Sequence, residues 1–213
     1  MNLQQVFSQS DAIGKAVALL LLLMSIASWV IIVWKAWMLR RASGNVARAV
    51  AAFWQAPSLQ DAATQLQTID RATLVLPLVQ ATQPPAGDTL ASAGEREQQL
   101  TRTLRGALHA VMRRLQFGQV LLATTGSIAP FIGLLGTVWG IYHALTSIAG
   151  SGQISIERVA GPVGESLIMT AAGLAVAIPA VLAYNGFGRV IGAIEAELEG
   201  FARDLRELLA HRA

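Results

Sequence analysis

Three stretches of the chain lack Asp, Glu, Lys and Arg for long enough to cross a lipid bilayer, namely residues 16–34, 115–156 and 166–188. A membrane-spanning helix needs about 20 predominantly apolar residues, so the first and third stretches each predict one spanning helix. The apolar part of the middle stretch ends near Ile148, before a Gly/Ser-rich segment, and it also predicts one helix. The pattern therefore predicts an all-α membrane protein with three transmembrane helices.

Shorter helices are predicted between the first two spans. Residues 43–55 form one, which ends before Pro57, and residues 59–69 form another, which begins after Ser58. Residues 72–82 form a weaker apolar segment. These segments predict a helical domain outside the membrane.

A long helix is predicted to lead into the second span. Ser92 and Glu95 have the S-x-x-E spacing of a capping box, which marks a helix start. No proline follows until Pro130, so we expect one continuous helix from this start into the membrane.

The C-terminal segment has an apolar seam at alternating spacings of three and four residues. A seam of this kind packs against another helix, either in its own domain or in a second copy of the chain. Both alternatives are open from the sequence. The seam consists of Ile191, Ile194, Leu198, Phe201, Leu205 and Leu208.

The basic residues predict the orientation. Lys15 and Arg158 are the two of the sixteen Lys and Arg residues on the side that holds the N-terminus, and the other fourteen lie on or at the edge of the opposite side. Because positive charge stays cytoplasmic, the N-terminus is predicted to be periplasmic. Five basic residues near the inner leaflet are predicted to contact lipid headgroups: Lys35, Arg40, Arg41, Arg113 and Arg114.

These predictions divide the chain into seven segments. They are a short periplasmic N-terminus (1–15), transmembrane helix 1 (16–37), a cytoplasmic helical domain (38–118), transmembrane helix 2 (119–148), a periplasmic loop (149–161), transmembrane helix 3 (162–188) and a cytoplasmic C-terminal helix (189–213).

Composition agrees with a membrane protein and narrows the chemistry. The chain is 54% hydrophobic and 14% charged, whereas soluble domains are about 25% charged. It has no Cys, no nucleophile motif and no metal-binding motif, so we predict neither an enzyme nor a cofactor. The net charge of +3 follows from the topology and does not predict nucleic-acid binding.

Small residues and hydroxyls form one strip on each of the second and third spans. The first strip has spacings of three and four and includes Gly126, Pro130, Gly133, Thr137 and Gly140. The second contains Ser166, Thr170, Gly173 and Ala177. Three helices cannot enclose much space, so we expect several copies in a ring, with both strips lining a central pore.

Glu165 stands at the head of the third span, where an ionised carboxylate costs several kcal/mol unless it faces protein or water. It could exchange protons in a pore, or it could cap the first helical turn at headgroup level. Thr137 and Thr170 also have two interpretations. They could act in the pore, or they could bond their own backbone, as most membrane threonines do.

Two segments together are similar to a known family. APFIGLLGTVWGIYHAL (129–145) and VAGPVGESLIMTAAGLAVAIPAVLAYN (159–185) resemble the ExbB/TolQ proton-channel group, which is related more distantly to the MotA flagellar stator. The resemblance implies a pentamer in the bacterial inner membrane. It also places Glu165, Thr137 and Thr170 at the polar pore positions of the family.

The resemblance further implies partners and a task. An ExbD-like single-span protein would lie inside the pore, and the complex would use proton motive force to energise TonB for import of iron siderophores and cobalamin. The segment ISIERVAGPVGESLIMT favours the ExbB branch. A TolQ-like role in envelope integrity and a non-conducting scaffold remain alternatives.

Overall fold

A computed structural model of the chain describes residues 11–83, 94–151 and 156–210. Every regular element in these ranges is a helix: α1 Ala12–Gln55, α2 Leu59–Ile69, α3 Leu76–Gln80, α4 Arg96–Gln116, α5 Gln119–Ser151 and α6 Ile156–Ala210. Helices α1, α5 and α6 each contain a stretch that is long and apolar enough to cross a membrane. The prediction of an all-α chain with three such helices is therefore confirmed.

The chain divides into two compact units. The membrane unit comprises the residues up to Trp34 together with Gly118–Gly186. The globular unit comprises Lys35–Phe117 and the residues from Phe187 onward. Helices α1 and α6 each contribute to both units.

The membrane unit has a small buried core and a large apolar surface. Val17, Leu21, Ala129 and Ala177 are buried together where α1, α5 and α6 meet. Many large apolar side chains point outward, such as Val33, which is 64% exposed. A surface of this kind is suited to lipid or to neighbouring membrane helices.

The globular unit has a larger apolar core, which resolves the two interpretations of the C-terminal seam. Ile191, Ile194, Leu198, Phe201 and Leu205 are all buried in this core. The rings of Phe53 and Phe201 make an edge-to-face contact with centroids 5.0 Å apart. The seam therefore packs on its own domain.

Local caps begin and end the small helices of this unit. Ser58 accepts the backbone N–H of Asp61 with its hydroxyl, as predicted for the start of α2. The buried carboxylate of Asp70 follows α2 and accepts the backbone N–H groups of Leu74, Val75 and Leu76. These bonds fix the turn that leads into α3.

Several predicted boundaries differ from the structure. Residues 43–55 are the end of α1 and not a separate helix, because no proline interrupts the chain between the first span and Pro57. Helix α4 begins at Arg96 with Glu95 as its N-cap residue, and Ser92 lies outside the described residues. Helices α5 and α6 also extend into the predicted 149–161 loop, of which residues 152–155 are outside the described ranges.

The predicted continuous helix into the second span is broken at Gly118. This residue has a φ of +81° and separates α4 from α5. A side chain here would be strained in the left-handed region and would also collide with Ile31. Glycine therefore satisfies both the turn and the packing.

Lys35 is buried at the end of α4. Its ammonium donates to the carbonyl oxygens of Leu115 and Phe117, both at 2.6 Å, and the residue is 0% exposed. The last carbonyls of a helix lack partners within the helix, and a cation also suits that end of the helix dipole. The prediction that Lys35 contacts lipid headgroups is therefore wrong, because its ammonium caps a helix instead.

Replacement of Lys35 by Met should lower the free energy of unfolding by about 1–3 kcal/mol, because two buried carbonyls would lose their donor. Thermal unfolding of the detergent-solubilised chain, followed by circular dichroism, measures the change. Lys15→Met is the matched control, since Lys15 lies on the same helix and is exposed. Equal effects of the two substitutions would contradict the capping role.

Candidate functional site

The two strips of small residues face each other within one chain. A Cβ atom on Gly133 would lie 2.6 Å from the Met169 carbonyl oxygen and 3.1 Å from the Cα atoms of Thr170 and Gly173. A Cβ atom on Gly173 would in turn lie 2.6 Å from the Ala129 carbonyl oxygen. The backbones of α5 and α6 are thus in direct contact, which small residues permit between membrane helices.

The close contact extends along both helices. Gly140 lies against the hydroxyl of Ser166, and Gly126 lies against the side chain of Val181. Ser166 also donates its hydroxyl to the Pro162 carbonyl at 2.8 Å. Hence the contact between α5 and α6 covers more than three helical turns.

This arrangement gives the small residues a packing role within one chain, and their predicted place along a pore stays a prediction. Gly126, Gly133, Ser166, Gly173 and Ala177 are buried within a single chain. Pro130 and Gly140 are partly buried. The strips are used for helix packing inside one chain, because the backbones of α5 and α6 touch along them.

Thr137 and Thr170 meet at the middle of this contact. The Thr170 hydroxyl donates to the Thr137 Oγ1 atom at 3.3 Å, and the Thr137 hydroxyl donates to the Leu134 carbonyl at 2.7 Å. Thr137 is 4% exposed, whereas Thr170 is partly exposed. The separation of the two hydroxyls is long for an O–H···O bond, so Thr170 can exchange this partner for another at low cost.

Glu165 lies in α6, five residues before Thr170. This spacing corresponds to about 7.5 Å along the helix axis. The side chain of Glu165 lies outside the described part of the chain. Its predicted role therefore stays a prediction.

Asp11 makes a contact between α1 and α5 that the sequence did not indicate. Its carboxylate accepts the backbone N–H of Gly14 at 2.9 Å and the indole N–H of Trp139 at 2.6 Å. The bond from Gly14, and then the bond from Trp139, lower the pKa of Asp11 below 3.8. Since 128 residues separate Asp11 from Trp139, spacing alone could not reveal this pair.

The remaining predicted basic residues lie in the globular unit and are exposed. They are Arg40, Arg41, Arg113 and Arg114. The Arg41 guanidinium lies 3.7 Å from the centroid of the Trp37 ring, and Arg114 donates to the carbonyl and hydroxyl of Thr73. Their predicted contact with lipid stays a prediction.

Metal ligands do not cluster among the described residues. Within these ranges no group of three His, Asp or Glu side chains is placed to hold an ion.

Sequence comparison gives the family. The profile of the MotA/TolQ/ExbB proton channel family matches residues 66–200, which is more than half of the chain. The chain belongs to the MotA/TolQ/ExbB proton channel family. The family consists of proton channels.

Individual relatives agree with this family. The chain is 41% identical to a biopolymer transport protein ExbB of Neisseria meningitidis, with 100% of this chain and 99% of the relative covered. It is 43% identical to an ExbB of Xanthomonas campestris, over 93% of this chain and 82% of the relative. A Tol-Pal system protein TolQ of Haemophilus influenzae is 39% identical over 53% of this chain and 49% of the relative. The full-length similarity is thus to ExbB proteins.

Gly133→Ala tests the packing of α5 on α6. We expect the free energy of unfolding to fall by about 1–3 kcal/mol, since overpacking against backbone atoms forces the helices apart. Gly186→Ala is the control, because a Cβ atom there meets nothing within 4 Å. It should leave stability unchanged or raise it by up to about 1 kcal/mol. Thermal unfolding in detergent distinguishes the two, and equal stability of both variants would contradict the contact.

Proposed function

We propose that the chain is the proton-channel subunit of a motor in the bacterial inner membrane. With an ExbD-like single-span partner it converts proton motive force into energisation of TonB, which drives import of iron siderophores and cobalamin through outer-membrane transporters. Membership of a proton-channel family and the full-length similarity to ExbB proteins support this proposal.

The hydroxyl pair is the observation that carries it. Because Thr170 donates to Thr137, and Thr137 donates to a carbonyl, the lone pairs of the Thr170 oxygen remain available to an outside donor. A protonated carboxylic acid on a partner helix could donate to this oxygen. An ionised one could instead accept the Thr170 proton in a hydrogen bond. The pair can therefore serve both protonation states of a passing acid.

In the proposed pentamer, the edge of the α5–α6 pair at which Thr170 is partly exposed faces the axis. Glu165, nearer the start of α6, would lie towards the outer mouth and would take up protons or attract them. One charge moved through a potential of 100 mV releases about 2.3 kcal/mol, so a few protons suffice to bias a conformational cycle.

The proposed orientation follows from the basic residues. The N-terminus is periplasmic and the globular unit is cytoplasmic, with exposed arginines such as Arg40 and Arg113 near the inner leaflet. The bond between Asp11 and Trp139 then holds α1 to α5 at the periplasmic side. The hydrogen bonds from Gly14 and Trp139 lower the pKa of Asp11 and so favour its ionised form.

A TolQ-like role is the second candidate, because a TolQ protein matches half of the chain at 39% identity. Deletion of the gene separates the two. If the deletion strain fails to grow on iron-siderophore complexes, the TonB-linked role is supported. Detergent sensitivity and periplasmic leakage of that strain support the TolQ-like role in envelope integrity.

Thr170→Val keeps the shape of the side chain but removes its hydroxyl. We expect uptake of a radiolabelled iron siderophore to fall by at least about tenfold, as expected for loss of a proton-transfer group. Thr146→Val is the control, because Thr146 is exposed and its hydroxyl bonds only the carbonyls of Tyr142 and His143 among the described residues. Protein levels and complex assembly are checked by immunoblot and native electrophoresis.

Glu165→Ala and Thr137→Val extend this test to the other two predicted pore residues. Loss of uptake in an assembled complex supports the proton pathway. Normal uptake in all three variants would contradict it and would favour a scaffold that conducts nothing.

A further inference from the structure

The globular unit contains a cavity of about 710 Å³ that is rich in positive charge. All the charged side chains among its described lining residues are arginines, and an aromatic ring lies beside them. These residues are Trp37, Arg40, Arg41, Arg48, Arg71 and Arg114. Five arginines thus line one concavity, and no Asp or Glu is among its described lining residues.

Two of the arginines have neutral hydrogen-bond partners among the described residues. Arg48 donates to the Gly44 carbonyl at 2.8 Å, and Arg114 donates to the carbonyl and hydroxyl of Thr73. Each guanidinium has five donors, so most of their donors remain available.

The carboxylate that is nearest to Arg71 in the sequence already has hydrogen-bond partners. Asp70 precedes Arg71, but it is 1% exposed and accepts backbone N–H groups of the turn after α2. Arg71 itself is exposed. The pocket therefore presents positive charge that no carboxylate among its described lining residues neutralises.

The position of the pocket along α1 indicates which anion it meets. The apolar stretch 16–34 ends three residues before Trp37. Trp37 to Arg41 then lie about 5–10 Å beyond the end of that stretch along the helix axis. The headgroup layer on each side of a bilayer is about 5–8 Å thick. A Trp ring beside basic residues is also typical of the membrane–water interface.

We propose that this pocket binds the phosphate group of an anionic phospholipid headgroup. Guanidinium groups bind phosphate oxygens through paired hydrogen bonds, and the Trp37 ring beside Arg41 shields one face of that contact. The site includes Arg48 and Arg71, which sequence position alone did not single out, and it excludes the buried Lys35. The inference rests on the membrane placement in the proposed function but not on proton transfer.

Native mass spectrometry of the full chain in detergent tests the site through titration with phosphatidylglycerol or phosphatidylcholine. Arg41→Gln combined with Arg71→Gln should weaken phosphatidylglycerol binding by about tenfold or more, because paired charge-assisted bonds are lost. Phosphatidylcholine should bind the unaltered chain much more weakly. The matched control is Arg105→Gln combined with Arg203→Gln, which removes the same charge from exposed positions outside the pocket.

Three outcomes would overturn the proposal. If the control pair loses as much affinity for phosphatidylglycerol, then the total charge, and not the pocket, attracts the lipid. Equal affinity for phosphatidylcholine would exclude recognition of an anionic headgroup. Displacement of the lipid by an equal concentration of inorganic phosphate would assign the site to a free phosphate compound.

A conservative pair, Arg41→Lys combined with Arg71→Lys, serves if the glutamine pair does not fold. This variant keeps the positive charge but loses the paired hydrogen bonds of the guanidinium groups. We therefore expect phosphatidylglycerol to bind a few-fold more weakly. Unchanged affinity in this folded variant would contradict the site. Thr170→Val should retain lipid normally, so failure of the proton-transfer proposal and failure of this one can be told apart.

Discussion

Direct contact between the backbones of α5 and α6 is the constraint on which the rest of the membrane unit depends. Gly133 and Gly173 leave no side chain between the helices, so each lies against the backbone of the other helix. Membrane helices gain no hydrophobic drive from each other in lipid, and close packing of this kind is what holds them together. The same contact sets the separation of the Thr137 and Thr170 hydroxyls at 3.3 Å.

The proposed function uses the hydroxyl groups at this contact. The described part of the membrane unit offers hydroxyls and backbone carbonyls at mid-helix, with the Asp11 carboxylate bound to Trp139 elsewhere. Hydroxyls bind either protonation state of a carboxylic acid, which suits a pathway whose proton carrier belongs to a partner. In the proposed function, this chain supplies the hydroxyl groups and the partner helix supplies the acid.

The sequence predicted features that depend on local composition and missed those that depend on distant contacts. Length and hydropathy gave three spanning helices, and the Ser58 cap was correct because it involves neighbours in sequence. The small-residue strips were found from their periodicity, but their contact with each other inside one chain was not predicted, since periodicity shows a face and not what it faces. The bonds of Lys35 span 80 and 82 residues, and composition alone does not reveal such partners.

Disulfide formation between the two threonine positions tests the central claim most directly, since the chain has no native Cys. If one chain brings the two hydroxyls together, Thr137→Cys combined with Thr170→Cys should oxidise within a single chain, as monomers on a non-reducing gel with no free thiol. Co-expressed single variants should then give no dimer. Dimers from the single variants, with free thiols in the double variant, would contradict the account.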